Sequence, residues 1–341
     1  MNTSPLTAPP PSLSPWQRLY TAAHGWRRAW YRRRAAHLPR PVLSVGNLHW
    51  GGTGKTPLVT AIARHIDELG LHVTILSRGY KSRGRGIRIV SVGDGPLLGP
   101  LVAGDEPVVL AADLPGVSVV VGPDRYEAGQ HALERLPRRP DIFILEDGFS
   151  HLRLYRDVNV LTFPIRDPFG GGRLFPGGRL REPLSSSRDA DAAVLVGPHA
   201  KGGEDLAQCL RPFGFRGAGF SARTIVGEAR IERGELLAAG SRVLLVTGIA
   251  RPERVLESLA SLPYELAGAL HFSDHHEYPE ESLEQIRREL DRNAADWVLT
   301  TAKDHVKLLG RLEMPIALLP LRTEPELAFW HWLEQRLGNL A

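Results

Sequence analysis

A glycine-rich loop between a strand-like and a helix-like segment constrains the fold of this chain more than any other feature. The apolar run PVLSVGNL leads into HWGGTGKTP, residues 49–57, and the amphipathic stretch LVTAIARHIDELG follows. Such a loop lets backbone N–H groups converge on an anion, because glycines leave room and a helix N-terminus lies behind. The strict phosphate-loop pattern G-x-x-x-x-G-K-[ST] is broken at its first position, His49. The flanking strand and helix still favour a nucleotide loop over a simple glycine-rich turn.

The residues of this loop have distinct expected roles. Lys55 is expected to reach the β- and γ-phosphates, and the Thr56 hydroxyl to ligate Mg²⁺. Pro57 fits the first helical turn, where its missing N–H costs little. The predicted nucleotide site comprises His49, Trp50, Gly51, Gly52, Thr53, Gly54, Lys55 and Thr56.

Strand-like and helix-like segments alternate along most of the chain. The apolar runs are VLSV, HVTILS, VSVVVG, DIFILED and VNVLTF, and helical patterns such as YEAGQHALERL fall between several of them. This alternation predicts a P-loop-containing α/β/α sandwich with a parallel sheet. With 341 residues, 43% of them hydrophobic, the chain is long enough for a second, smaller α/β domain.

Changes in composition suggest where these parts begin and end. A Pro/Ser/Thr-rich start has little to bury and is predicted to be disordered. A Gly/Pro/Arg-rich stretch in the middle reads as a long functional loop or a domain hinge. The predicted divisions are 1–15 disordered, 16–40 basic aromatic helix, 41–165 P-loop domain, 166–188 loop or hinge, 189–300 second domain, and 301–341 returning to the first domain.

The basic aromatic helix indicates a partner that carries negative charge. No Asp or Glu precedes Asp67, and arginines crowd around three tryptophans in residues 16–36. Such a helix suits the surface of an anionic membrane, although packing on its own domain with a solvated arginine face is an equal alternative. RNA binding ranks lower, because no RNA-binding motif accompanies it. The segment has no apolar span of about 20 residues, and the single cysteine, Cys209, fits a reducing cytoplasm.

Two acidic pairs are candidates for chemistry. Glu146 and Asp147 follow the apolar run IFIL, which would deliver them to the carboxyl edge of the sheet, where ligands of open α/β sheets bind. With a phosphate loop upstream, a metal-binding role is favoured over a helix cap. Asp105 and Glu106 precede Pro107, and a helix N-terminus alone would explain them electrostatically.

At this point the sequence resembles the tetraacyldisaccharide 4'-kinase family, which makes lipid A in Gram-negative bacteria. The resemblance runs from about Pro41 to Lys307 and includes, in the family's order, VGNLHWGGTGKTP, LSRGY, GDEPVVLA, VVVGPDR, EDGFSH, GRLFPGGRLREPL, GIARPER, FSDHHEY and TAKDHVKL. It implies Mg²⁺-dependent transfer of the ATP γ-phosphate to the 4'-hydroxyl of an acylated glucosamine disaccharide 1-phosphate. It further implies a peripheral enzyme at the cytoplasmic face of the inner membrane, with two α/β/α domains that close over the nucleotide. In this family's terms Asp105 is the candidate base and His275 its partner.

The resemblance also suggests residues for the substrate and the metal. The candidate substrate-binding residues are Arg78, Arg173, Arg179 and Arg181, which could grip a phosphate as bidentate donors. Glu182 is a candidate for the metal shell with Thr56, Glu146 and Asp147. For the arginine-rich loop, a solvated basic surface is an equal alternative.

Three positions depart from the family's usual pattern. Glu146 and Ser150 stand where the family usually has aspartate and glutamine, and Ala302 stands where it usually has glutamate. A glutamate carries its carboxylate about one methylene farther, so a metal contact there could pass through water. The main rival function is a P-loop ATPase or GTPase that switches or delivers cargo. The expected partners are the lipid substrate and an anionic membrane, with no nucleic acid and no obligate protein partner.

Overall fold

The computed structural model describes residues 14–231, 234–249 and 252–340, so most of the predicted disordered start lies outside the described residues. The described strands are β1 (Val42–Gly46), β2 (Val73–Ser77), β3 (Arg88–Val92), β4 (Ser118–Val121), β5 (Ile142–Glu146), β6 (Val158–Pro164), β7 (Ala192–Gly197), β8 (Ala218–Val226), β9 (Arg230–Ile231), β10 (Arg242–Thr247), β11 (Glu265–His271), β12 (Trp297–Thr301), β13 (Ile316–Leu319) and β14 (Leu321–Pro325). The described helices are α1 (Pro15–Arg32), α2 (Lys55–Glu68), α3 (Pro100–Ala103), α4 (Asp105–Asp113), α5 (Arg125–Arg135), α6 (Gly203–Leu210), α7 (Glu253–Leu259), α8 (Glu280–Arg292), α9 (Ala302–Leu308) and α10 (Leu327–Gly338).

Nine of the described strands form the larger sheet, in the order β14-β8-β7-β6-β1-β5-β2-β4-β3. All neighbours are parallel except the two edge strands, β14 and β3. The central strands are buried on both faces, and alternate residues pack in opposite directions. Leu43 and Ile144 share a core with α2, α4 and α10, whereas Val42 and Phe143 share a core with α5 on the other face. The predicted P-loop α/β/α sandwich is confirmed.

The other five strands in the described part of the chain form a second, smaller sheet, in the order β11-β10-β12-β13-β9. It therefore draws on residues 230–319, and the predicted boundary at residue 189 was wrong. β7 pairs with β6 and β8 pairs with β7, so both strands extend the first sheet. A strand followed by a helix has the same sequence pattern in either sheet, which explains the error. Within 301–341, β14 and α10 lie on the larger sheet, whereas α9 and β13 belong to the smaller unit.

The Gly/Arg-rich stretch 166–188 packs against the glycine loop. It connects β6 to β7, which are neighbours in one sheet, so the hinge alternative for this stretch was wrong. Leu174 and Leu180 are buried in a core with Phe163. The Trp50 N–H donates to the Arg179 carbonyl at 2.8 Å. The stretch therefore forms one wall beside the loop.

The N-terminal helix α1 packs on the larger unit through its polar face. Its buried residues, Gln17, His24 and Arg28, recur at helical spacing. The opposite face exposes Trp16 (68% accessible) and Trp26 (72%). Packing on the domain was one of the predicted alternatives, but the face left to solvent is aromatic rather than purely arginine. Among the described residues, no helix has the length and apolar character needed to cross a bilayer.

Arg28 anchors α1 through a buried ion network. Its guanidinium donates to Glu182 at 2.8 Å and to Asp189 at 2.7 Å, and it stacks over the Phe149 ring at 4.2 Å. Arg28 and Glu182 are each only 4% accessible. Removing one partner of a buried pair leaves the other charge without compensation, which is strongly destabilising.

Arg28→Met should therefore lower the free energy of unfolding by about 3 kcal/mol, measured by denaturant titration. Arg33→Met is the matched control, because Arg33 is exposed at the end of the same helix. Equal stability of the two variants would contradict the anchoring role of Arg28.

Candidate active site

The glycine loop joins β1 to α2 at the carboxyl edge of the larger sheet. Helix α2 begins at Lys55, and Gly54 precedes it with a left-handed backbone (φ 82°). A Cβ at Gly54 would lie 2.6 Å from Cγ1 of Val196, so a side chain there meets both strain and a clash. Lys55, Thr56 and Pro57 thus occupy the first helical turn, where free N–H groups favour anions.

Buried polar contacts hold the loop in shape. The Asn47 amide donates to the Thr53 hydroxyl at 2.7 Å, and this hydroxyl lies 2.8 Å from that of Thr162. His49, at the irregular first position, is 4% accessible and packs edge-on against Phe163. Burial lowers the pKa of His49 to about 4, so its imidazole is neutral at physiological pH. His49 thus supports the loop, whereas Trp50 is 60% accessible.

The acids at the end of β5, Glu146 and Asp147, lie beside this loop. The Asp147 carboxylate is 3.6 Å from the Lys55 ammonium, and it accepts two hydrogen bonds from Arg181. Burial would raise the pKa of Asp147, but Lys55 and Arg181 outweigh it and hold the pKa at about 2. Asp147 has a positive φ of 50°, which is uncommon outside glycine and often marks functional sites.

Glu146 occupies a different electrostatic environment from its neighbour. It is 2% accessible and accepts a hydrogen bond from the Ser77 hydroxyl at 2.9 Å. Burial, followed by the nearby charges of Glu106 and Asp147, raises its pKa to about 8. Its Oε1 atom has no hydrogen-bond partner among the described residues. The two acids therefore offer one ionised carboxylate and one with a free, buried oxygen.

The second predicted acidic pair, Asp105 and Glu106, contacts residues of the smaller unit. The Asp105 carboxylate lies 3.0 Å from Nδ1 of His275 and 2.6 Å from the Lys307 ammonium. Burial alone would raise the pKa of Asp105, but the hydrogen bond from His275 and the nearby charge of Lys307 outweigh it and lower the pKa. His275 has a positive φ of 64°, so its loop is held in an uncommon conformation. The structure thus brings together two residues that are 170 positions apart.

The other predicted residues occupy more varied places. Arg181 lies in the site, but its guanidinium is engaged by Asp147 and the Asn47 carbonyl. Both oxygens of Glu182 have protein partners, Arg28 and the Ser150 hydroxyl, and its place in a metal shell stays a prediction. The remaining predicted arginines are all exposed, and they are Arg78, Arg173 and Arg179.

Sequence reasoning missed several charged residues of the site. Glu106 lies in the electrostatic field of Lys55 and Asp147, and its carboxylate is 2.6 Å from the Lys303 ammonium. Arg125 is buried near Glu146 and Asp147. Burial lowers the pKa of Arg125, and these two carboxylates partly offset that effect. Glu106 lies in the block GDEPVVLA, and Arg125 lies in the block VVVGPDR. Their membership of these blocks was the sequence signal that could have identified them as site residues.

A phosphate loop with acids beside it, faced by a carboxylate–imidazole pair from two units, defines a P-loop phosphotransferase. The profile of the family described as tetraacyldisaccharide-1-P 4'-kinase matches residues 10–338. The chain belongs to this family.

Similar proteins cover most of the chain. It is 41% identical to the tetraacyldisaccharide 4'-kinase of Geobacter sulfurreducens over 296 residues, 85% of this chain and 81% of that protein. It is 37% identical to that of Syntrophus aciditrophicus over 318 residues, 87% and 84% of the two chains. A crystal structure of LpxK from Aquifex aeolicus in complex with ATP superposes with a TM-score of 0.76, at 31% identity, over 96% of this chain and 97% of that one.

Proposed function

We propose that this chain transfers the γ-phosphoryl group of ATP to the 4'-hydroxyl of a tetraacylated glucosamine disaccharide 1-phosphate. The observation that carries the proposal is the place of Asp105: its carboxylate is held by His275, while the next residue, Glu106, lies in the field of Lys55. A proton acceptor and a phosphate loop therefore face the same space. Catalysis would come mostly from positioning and electrostatics.

The transfer step assigns a task to each of these groups. The 4'-oxygen forms a bond to the γ-phosphorus as the bond from that phosphorus to the β,γ-bridging oxygen breaks, and ADP leaves. The hydroxyl proton passes to Asp105. Because the transition state of phosphoryl transfer is loose, a weakly basic carboxylate that orients the hydroxyl is sufficient. Lys55 and the loop N–H groups stabilise charge on the phosphoryl oxygens.

The donor set beside the loop fits Mg²⁺. Thr56, Asp147 and the unpartnered Oε1 of Glu146 supply the oxygen ligands that Mg²⁺ prefers, alongside phosphate oxygens and waters. Among residues 14–231, 234–249 and 252–340, no three His, Cys, Asp or Glu side chains form a ready metal cluster. When bound there, Mg²⁺ would neutralise negative charge on the phosphates during transfer.

A cleft between α1 and the start of α5 is the proposed entry for the acceptor headgroup. It encloses about 420 Å³ and is lined by Arg27, Tyr31, Asp124, Ser150, His151 and Arg153, among others. Two of its lining residues, Ser150 and His151, follow the acidic pair in the segment EDGFSH. The arginines suit a phosphorylated sugar.

The exposed aromatic face of α1 supports a peripheral position on an anionic membrane. Trp16, Leu19 and Trp26 point away from the domain that holds the polar face of the helix. Aromatic side chains settle at the headgroup boundary, and neighbouring arginines pair with lipid phosphates. We infer that α1 binds the enzyme to the cytoplasmic face of the inner membrane, where both ATP and the lipid acceptor are accessible.

The double variant Trp16→Ser/Trp26→Ser should weaken binding to anionic phospholipid vesicles by about 30-fold in a sedimentation assay. This corresponds to a loss of about 2 kcal/mol, or part of the burial energy of two large side chains. Leu327→Ser is the control, because Leu327 is 76% accessible but lies on α10. Unchanged vesicle binding of the tryptophan variant would rule out the aromatic face of α1 as the membrane-binding surface.

The proposed function is tested with purified protein, γ-labelled ATP and the tetraacylated disaccharide 1-phosphate. The label should move into the lipid at the 4' position, as located by mass spectrometry. A P-loop ATPase or GTPase that delivers cargo would instead release labelled phosphate at a rate that the lipid does not redirect, and this result would refute the kinase.

A further inference from the structure

Helix α9 of the smaller unit places two lysines on two adjacent carboxylates of the larger unit. Lys303 contacts Glu106 at 2.6 Å, and Lys307 contacts Asp105 at 2.6 Å. The four-residue spacing puts both lysines on one face of the helix, opposite the first turn of α4. The two lysines differ in exposure, because the Lys307 side chain is 6% accessible and that of Lys303 is 31% accessible.

Lys303 also lies within the charge distribution of the nucleotide site. Its partner Glu106 feels the charges of Lys55 and Asp147, and Lys303 itself feels the charge of Glu146. Burial would raise the pKa of Glu106, but Lys303 outweighs it and the pKa is lowered. The smaller unit thus delivers one cation to the acids that surround the glycine loop.

Several other cations near these acids are committed to protein partners. Arg181 is bound to Asp147 and the Asn47 carbonyl, and Lys307 holds the proposed base, Asp105. Arg125 donates to the Pro123 carbonyl and is 4% accessible. Lys303 combines a single carboxylate contact in the described structure with partial access to solvent and a flexible stem.

We propose that Lys303 is a catalytic cation that the smaller unit supplies to the transferring phosphoryl group. Glu106 holds Lys303 in place before the triphosphate binds. The Lys303 side chain then moves so that its ammonium contacts the γ-phosphoryl oxygens. In loose phosphoryl-transfer transition states, charge is spread over these oxygens, and a cation supplied from outside the loop can contribute strongly to the rate. The inference depends on the proposed kinase function.

Lys303→Met should lower kcat for lipid phosphorylation by about 10²-fold, within the range for removing one donor to transition-state charge. ATP affinity should change less than about threefold, because the contact strengthens mainly in the transition state. Binding of ADP with aluminium fluoride, which mimics the transferring phosphoryl, should weaken more than binding of ATP. Lys303→Arg should recover part of the rate. Arg288→Met is the control, because Arg288 forms an exposed ion pair on α8 of the same unit.

A double-mutant cycle separates this role from a purely structural one. If Lys303 contacts the phosphoryl, Lys303→Met will still lower kcat in the Glu106→Gln background, although by a smaller factor than in the wild type, because Glu106 no longer positions the ammonium. If Lys303 only neutralises Glu106 or fastens the two units, its effect will vanish in the Glu106→Gln background, and the proposal is overturned. Equal weakening of ATP and ADP–aluminium fluoride binding would also overturn it. Label transfer by the unsubstituted enzyme, measured alongside, tests the kinase function separately.

Discussion

Asp105→Asn should reduce turnover of the lipid acceptor by about 10³-fold, within the range for loss of a general base. The amide keeps the size of the carboxylate but cannot accept the hydroxyl proton, and it lacks the negative charge that pairs with Lys307. ATP affinity should remain within a few-fold, because Asp105 is assigned to the acceptor. Steady-state kinetics with labelled ATP, together with calorimetric ATP binding, measures both quantities.

Asp113→Asn provides the control for this prediction. Asp113 is an acid at the opposite end of the same helix, away from the carboxylate–imidazole pair. The control should keep its activity. A large loss of ATP binding in Asp105→Asn would move Asp105 into the nucleotide site and contradict its assignment to the acceptor.

Lys55→Met should lower kcat/KM for ATP by about 10³-fold, because the lysine contacts the β- and γ-phosphates and the charge that develops on them. Its ammonium lies 3.6 Å from Asp147 in this structure, so the variant also leaves that carboxylate with one cation fewer. Initial rates at several ATP concentrations measure the effect, and thermal unfolding reports any loss of fold.

Arg64→Met on the same helix is the control for Lys55→Met, since Arg64 is an exposed cation that contacts the Asp113 carbonyl. It should retain nearly full activity. If Lys55→Met kept more than about a tenth of the wild-type rate, the loop would not be the centre of phosphoryl transfer.

Local sequence patterns were enough to predict the larger sheet. The runs that become β1, β2, β4, β5 and β6 are short, apolar and flanked by turns, and the glycine loop fixes which strand precedes the nucleotide. The same local patterns could not say which sheet a strand joins. β7 and β8 depend on pairing with β6, which is a long-range contact, so the predicted boundary at residue 189 failed.

The site was predictable only where a residue type has a chemical signature. Lys55 and the acids at the end of β5 carry such a signature, whereas Glu106 and Lys303 become recognisable only when two helices 197 residues apart meet. The orientation of α1 was also hidden, because a helix that buries arginine and exposes tryptophan reverses the usual pattern. This orientation arises because Arg28 pairs with Glu182 and Asp189, which lie outside the helix.

The decisive measurement is a crystal structure of this protein with Mg²⁺ and a non-hydrolysable ATP analogue. We expect the γ-phosphate to lie against Lys55 and the loop N–H groups, with magnesium held by Thr56 and the acids at the end of β5. We also expect Asp105 to face the γ-phosphate from the side of the acceptor. A triphosphate bound away from the loop, or magnesium with no contact to Asp147 or Glu146 directly or through water, would contradict the proposed mechanism.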